Sequence, residues 1–203
     1  ITYTANEQSG IISYQDKAGN EISTTPLSGK TGETVTVNPE IPAGWELVPG
    51  QEIPKTVTAT GEGIPTVVIN VEHGITKVEH TSPVPAGEKT VTGEVINGAH
   101  ASDLNQTITR TINVTNPDGT KSTEVQTAKI YRDASYDNVT GEVTYGEWST
   151  GSWKEFSPAE IKGYSASEKV VPAVEVKDGQ KNVTVDITYT ANEQSGIISY
   201  QDK

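Results

Sequence analysis

The chain has 203 residues, with 27 acidic against 15 basic side chains, a net charge of −12 and neither Cys nor Met. The length accommodates two modest domains. The charge argues against nucleic acid and anionic lipid as partners, because both are bound through Lys and Arg that neutralise phosphate. The missing sulfur excludes disulfides, thiol catalysis and soft-metal centres, a pattern that suits an exported surface exposed to oxidants.

The 11 Pro and 19 Gly are scattered as punctuation, while Thr and Val dominate the ordered stretches and Leu is scarce. Thr and Val suit a pleated, half-buried surface, so the chain is expected to be mainly β. No apolar run approaches the roughly 20 residues of a membrane helix, so no membrane insertion is expected. The lack of a leader or sorting tail says nothing about export, because a piece cut from a longer array carries neither.

In chain order, Ile1 to Lys17 (ITYTANEQSGIISYQDK) comes first, and it recurs unchanged as Ile187 to Lys203, an offset of 186 residues. Identity at solvent-type positions such as Asn6/Asn192 exceeds what a shared fold requires and marks one period of a tandem array. Ile1 to Thr4 is then an orphaned strand end, and the unit is expected to begin near Gly10. Ile12 to Gly19 and Ile112 to Gly119 each place a turn Gly seven residues after an Ile, as strand, tight turn and strand require. Thr31-Gly32-Glu33 turns into a strand at Thr34 to Val37.

Gly44-Trp45, Ile53-Pro54 and Val67 to Val71 are echoed in order by Gly163-Tyr164, Val171-Pro172 and Val183 to Ile187. Along Thr107 to Val114, Ile108, Arg110, Ile112 and Val114 share a face, so Arg110 is expected either at a strand entrance or paired with a carboxylate. Ser157-Pro158 followed by Gly163 predicts one short helical turn over 157–162. Val183, Val185, Ile187 and Tyr189 alternate with Thr184, Asp186, Thr188 and Thr190, the pattern of a half-buried strand.

These signals predict a mainly β chain of two tandem β-grasp (ubiquitin-like) domains in an elongated arrangement, the second elaborated. Each would comprise a hairpin, an irregular or helical middle, and a closing strand beside the first. The expected limits are 1–9 for the end of a preceding repeat, 10–72 for the first domain, 73–190 for the larger second domain, and 191–203 for a linker and the start of the next repeat.

Catalytic signals are lacking. His73, His80 and His100 have no metal-ligand spacing, and no nucleophile elbow or phosphate loop is present. Asp16 to Asn20 and Asp118-Gly119 place oxygens in turns where calcium could use them with carbonyls, but Asp and Asn occupy tight turns for their own backbone hydrogen bonds. No cofactor is therefore assigned. A Lys–Asn or Lys–Asp isopeptide bond would need three side chains meeting in a core, and it would show as a mass deficit of about one ammonia or one water.

The aromatics are concentrated: Tyr131, Tyr136, Tyr145, Trp148, Trp153, Phe156 and Tyr164 all fall in the second half. Most should fill a core that has little Phe or Leu. Tyr145, Trp148 and Trp153, in a Gly/Ser/Thr-rich stretch, are the candidate ligand-binding residues, with Trp148 and Trp153 expected to be partly exposed. Their rings offer faces on which sugar C–H groups pack.

Gly29-Lys-Thr-Gly32, Gly44-Trp-Glu-Leu-Val48, Asn116-Pro-Asp-Gly-Thr-Lys121, the block Val139-Thr-Gly-Glu-Val-Thr-Tyr-Gly-Glu-Trp148 and the downstream Gly163-Tyr164 resemble the mucus-binding (Mub) repeats of lactic-acid bacteria over essentially the whole period. That resemblance implies a MucBP-type β-grasp domain followed by a Mub B2-like domain in a secreted adhesin anchored to the cell wall of a Gram-positive bacterium. It implies adhesion to mucin glycoproteins and, for some repeats, immunoglobulin binding, with neighbouring repeats in the same chain. It supplies no catalytic motif, so no enzyme is expected. A structural stalk repeat is the other alternative. Because mucins carry sialate and sulfate, a −12 module should bind them more strongly as pH falls toward 4–5.

Overall fold

The structure is a computed structural model that describes residues 1–202. It has fifteen strands and one helical turn: β1 (Glu7–Gln15), β2 (Glu21–Lys30), β3 (Thr34–Thr36), β4 (Trp45–Leu47), β5 (Thr56–Thr58), β6 (Val67–His73), β7 (Ile75–Val78), α1 (Ala101–Leu104), β8 (Asn105–Thr115), β9 (Lys121–Tyr131), β10 (Ala134–Asp137), β11 (Val143–Tyr145), β12 (Gly151–Trp153), β13 (Tyr164–Ala166), β14 (Val174–Val176) and β15 (Val183–Ala191). Two compact units interleave along the chain. The first comprises Ile1–Val78, Ser82–His100 and Ala134–Thr144; the second takes Glu79–Thr81, Ala101–Asp133 and the chain from Tyr145 onward.

Each unit is built on a four-stranded mixed sheet, ordered β2-β1-β6-β4 in the first and β9-β8-β15-β13 in the second. In both, a hairpin is followed by a closing strand that lies parallel to the hairpin's first strand, with a short antiparallel strand outside it. That is the β-grasp order expected from sequence. The hairpin turns agree atom for atom: Gly19 N donates to Asp16 O at 3.0 Å and Gly119 N to Asn116 O at 2.9 Å, with φ of +84° at both glycines. Only Gly takes that conformation without strain.

Where a β-grasp fold carries a helix, each unit here uses a two-stranded ribbon, β3–β5 in the first and β12–β14 in the second. Pro39, Pro42, Pro49 and Pro54, with Gly44 and Gly50, break any helical run across the first middle segment. Val35, Val37, Val57 and Ala59 from this region join Ile12, Tyr14, Ile69 and Val71 in the first core. The helical turn expected over 157–162 does not form. Phe156 and Val171 instead exchange two backbone hydrogen bonds at 2.9 and 2.8 Å, which holds the entry to this segment extended, and its end closes in a turn from Tyr164 N to Ile161 O. The single helical turn lies at Ala101–Leu104, immediately before β8.

The alternation seen in the sequence sets the buried faces. In β15, Ile187 is fully buried and Val183, Val185 and Tyr189 are half-buried, while the intervening residues are exposed. In β8, Arg110 occupies an inward position at 3% exposure, and neither expectation for it holds. Its guanidinium donates to Gln126 Oε1, Pro172 O and Lys154 O at 2.6–3.1 Å and lies 5.4 Å from the Trp153 ring centroid, so carbonyl and amide oxygens do the work of a carboxylate. Burial lowers its pKa from the ordinary Arg value. The corresponding site in the first unit is Gly10, where a Cβ would come within 2.4 Å of Ile64 O.

The buried polar or charged residues among those described are Ser13, Thr90 and Arg110, so none of the described lysines sits in a core where an isopeptide bond could form. A third sheet, β11-β10-β7, joins residues some sixty positions apart, pairing Tyr136 with Thr76 and Asp137 with Ile75. Nothing in local sequence signals that pairing.

Candidate functional site

At the end of β9 the chain continues through Arg132 and Asp133, and the segment Tyr145 to Ser149 lies alongside it. Gly146 N donates to Asp133 O at 2.8 Å, Ser149 N to Tyr131 O at 2.7 Å, and Tyr131 N to Ser149 Oγ at 2.9 Å. Gly146 eases this close approach, since a Cβ there would press on Asp133 O at 3.2 Å. This pairing brings Tyr145 and Trp148, three residues apart in sequence, onto one cation: the Arg132 guanidinium lies 3.5 Å from the Tyr145 ring centroid and 4.6 Å from that of Trp148.

Arg132 is fixed from its other side. Its backbone N–H donates to Leu104 O and its Nε to Asp103 O, both at 3.0 Å, so the helical turn α1 serves to hold the guanidinium. Beside it, His80 stacks on Tyr131 with ring centroids 3.8 Å apart and planes 12° from parallel. Both the backbone N–H and Nδ1 of His80 lie 2.8 Å from Asp133 Oδ1. These hydrogen bonds, the backbone one foremost, hold the Asp133 carboxyl below its ordinary pKa of 3.8, so it stays anionic near neutrality. Tyr131 is 45% and Tyr145 41% exposed.

The second unit thus presents two flat phenol faces, a cation and an anion on adjacent residues. Such a surface can stack on the C–H face of a sugar ring while its charged groups hydrogen-bond the hydroxyls. The arrangement is suited to binding.

Of the three residues singled out from sequence, Tyr145 and Trp148 converge on this surface. Trp148 is half-buried, with part of its ring against the core of Ile108, Ala128, Ile130, Trp153 and Val176. Trp153 does not join them. It is 2% exposed and its Nε1 donates to Ile108 O at 3.2 Å, so the partial exposure expected for it is overturned: its ring fills the space beneath the β12–β14 ribbon. Arg132, His80 and Asp133 escaped sequence reasoning. One signal was available, because Arg132 is one of only two arginines in a strongly acidic chain.

The remaining candidates have local explanations. Asp16 Oδ1 accepts from the backbone N–H groups of Ala18 and Asn20, and Asp118 Oδ1 from the N–H and hydroxyl of Thr120, which are turn contacts. No group of three or more His, Asp or Glu residues suited to a metal ion occurs among the described residues. His73 Nδ1 lies 2.6 Å from Asp137 Oδ2 in the first unit, with the Trp45 ring edge-on at 4.5 Å. No helix of the described residues is long and apolar enough to cross a membrane.

Residues 99–193 match the model of the Muc B2-like domain family. No curated protein matches the chain. Among solved structures, Mub-RV is 20% identical with a TM-score of 0.59, covering 92% of this chain and 100% of that one. The mucin-binding domain of Spr1345 from Streptococcus pneumoniae is 29% identical over 44% of this chain and 94% of that one, with a TM-score of 0.40. The type 2 repeat of the mucus binding protein MUB from Lactobacillus reuteri is 23% identical over 91% of this chain and 100% of that one, with a TM-score of 0.42. The likeness to Mub-RV is one of fold.

Proposed function

From the match of residues 99–193 to the Muc B2-like domain family and the fold shared with Mub-RV, we propose that the chain is a non-catalytic repeat of an extracellular adhesin that binds mucin glycoproteins. The observation that carries the reading to particular residues is the stack of Arg132 on Tyr145 and Trp148 in the second unit. Sugars are held by aromatic faces combined with directional polar groups, and this surface offers both. A location at the cell wall of a Gram-positive bacterium is the reading that the resemblance of the whole period to Mub repeats supports. Tandem neighbours of identical sequence would raise avidity without any new contact, which suits single-site binding that is weak.

Immobilised mucin, before and after removal of its glycans, tests the reading. Binding should fall with deglycosylation, and Trp148→Ala and Tyr145→Ala should each weaken it in a protein that remains folded. Retention on the deglycosylated ligand would favour recognition of protein surface, with immunoglobulins as the partner to examine. Absence of any binding by this repeat, beside binding by a longer array, would favour a stalk role.

A further inference from the structure

The second unit contains, apart from the Arg132 surface, a groove of about 800 Å³ bounded by Ser157 to Ala166, Lys169, Val170, Tyr189 and Asn192. That volume lies within the roughly 300–1,000 Å³ of small-ligand sites. We propose that this groove is a second binding site, one that takes a sugar carrying a carboxylate or sulfate group. The ligand class rests on the reading of the chain as a glycan binder; the place and the charge preference do not.

Charge is the first reason. The charged residues lining the groove are Lys162, Lys169 and Glu160, a local excess of one positive charge in a chain of net −12. Field lines from two cations in a concave, partly apolar surface draw an anion to a place that the rest of the molecule repels. The second reason is order. Gly163, at φ +85°, accepts a 2.7 Å hydrogen bond from Asn192 N, Tyr164 N donates to Ile161 O at 3.0 Å, and the Tyr189 hydroxyl donates to Ala159 O. The Ser165 hydroxyl donates to Asn192 Oδ1 at 2.6 Å, so the polar group Asn192 has left for a ligand is an N–H₂ donor. The walls are therefore fixed before a ligand arrives, and Tyr164, 40% exposed, supplies a ring face.

The first unit serves as an internal control. There Gly44, at φ +84°, accepts from Gly74 N at 2.8 Å, reproducing the Gly163–Asn192 contact. Strand registers then place Ala43 where the second unit has Lys162, Val71 where it has Tyr189, and Gly74 where it has Asn192. The scaffold forms without these polar groups, so their presence in the second unit is not required by the fold. A sugar is favoured over an acidic peptide because amide and ammonium donors surround a single exposed ring, whereas extended peptides need successive side-chain pockets along an edge.

The test is titration of the ¹⁵N-labelled chain with 3′-sialyllactose, lactose 6′-sulfate and lactose. The amides of Tyr164 to Ala166 and Asn192 should shift with both charged sugars and not with lactose. A Lys162→Ala/Lys169→Ala double variant should weaken the interaction about tenfold, as expected for two exposed ion pairs, and the corresponding Lys→Arg pair should retain it. Equal shifts with lactose, an unaffected Lys→Ala variant, or charged sugars perturbing Arg132 and Tyr145 instead would overturn the proposal, as would a short oligoglutamate binding the same amides more tightly. Trp148→Ala separates this proposal from the function above. It should leave the groove titration unchanged, and mucin binding that ignores Trp148→Ala would count against the Arg132 surface while the groove titration still stood.

Discussion

Truncating Trp148 and truncating Trp153 should have opposite consequences, although both lie within six residues of each other and looked alike in sequence. Trp153 is 2% exposed, packs with Ile108, Ala128, Ile130 and Val176, and gives its indole N–H to Ile108 O. Trp153→Ala removes a ring from a closed core, at about 3–5 kcal/mol. It also deprives a backbone carbonyl of a donor, at about 1 kcal/mol. Against a total stability of about 5–15 kcal/mol, that is a large fraction. For a unit of this size it should lower the melting temperature by at least about 12 °C. Trp148 is half-buried, so Trp148→Ala should cost stability by only about 1–2 kcal/mol while removing a wall from the Arg132 stack. Urea unfolding followed by circular dichroism gives the stabilities, and mucin binding well below the transition gives the function. Trp153→Ala should bind normally when folded and Trp148→Ala should not. A Trp153→Ala protein of unchanged urea midpoint that has lost binding would refute this reasoning.

Acid should act on fold and adhesion in different ranges. The Asp133 carboxyl is held low by hydrogen bonds from His80. Burial raises the pKa of Asp137, but hydrogen bonds from Thr140, His73 and Val139 outweigh it and leave it lowered. A depressed carboxylate contributes stability that is complete above its unfolded value, here 3.8, and is lost as pH falls through its lower folded value. The fold should therefore hold through pH 4.5, with losses from these two groups confined below about 3.8, as thermal melts across pH would show. Mucin binding at fixed ionic strength should strengthen from pH 7 to 4.5 as net charge shrinks toward the isoelectric point near 4.6, and a flat profile would count against electrostatic repulsion as the limiting factor. Gly10→Ala should destabilise the first unit by about 1–3 kcal/mol because its Cβ would press on Ile64 O. Gly196→Ala, the same change in the same sequence context, should leave the urea midpoint unmoved, since nothing lies within 4 Å of that position. In hydrogen exchange, the Ile12 to Tyr14 amides should be protected and those of Ile198 to Tyr200 should exchange freely; equal protection would mean that the second segment has found a sheet.

The β-grasp order was legible because it is carried by local alternation and by turn glycines. Ile108, Ile112 and Val114 on one face of β8, and Val183, Val185 and Ile187 on one face of β15, identify the two strands that lie side by side. The helical turn expected over 157–162 was a misreading of a Ser-Pro start, because the pairing of Phe156 with Val171 that holds the entry extended is not visible in the local sequence. The β7–β10–β11 sheet was hidden because its pairing spans some sixty residues and depends on no residue type that announces it. The proposed binding surface was half legible. Two rings could be chosen by their surroundings, but Trp153 and Trp148 share the same Gly/Ser/Thr-rich context, and only the pairing of Tyr145 to Ser149 with Tyr131 to Asp133 decides which ring meets Arg132.

The duplicated seventeen residues make the same point with sequence held constant. Ile12 and Tyr14 are fully buried, whereas the identical Ile198 and Tyr200 are 82% and 90% exposed. Ile187 is fully buried, whereas the identical Ile1 is wholly exposed. Alternation determines which side chains would share a face, but the roughly 1.5–3 kcal/mol gained by burying each large apolar side chain is realised only when a partner sheet is present. For Ile12 and Tyr14 the partners are β2 and β6; for Ile187 they are β8 and β13. The duplicated segment therefore has no structure of its own, and each of its two copies depends on the chain that flanks it. The same dependence governs the aromatic surface, where Tyr145 and Trp148 converge only through the strand end that carries Arg132.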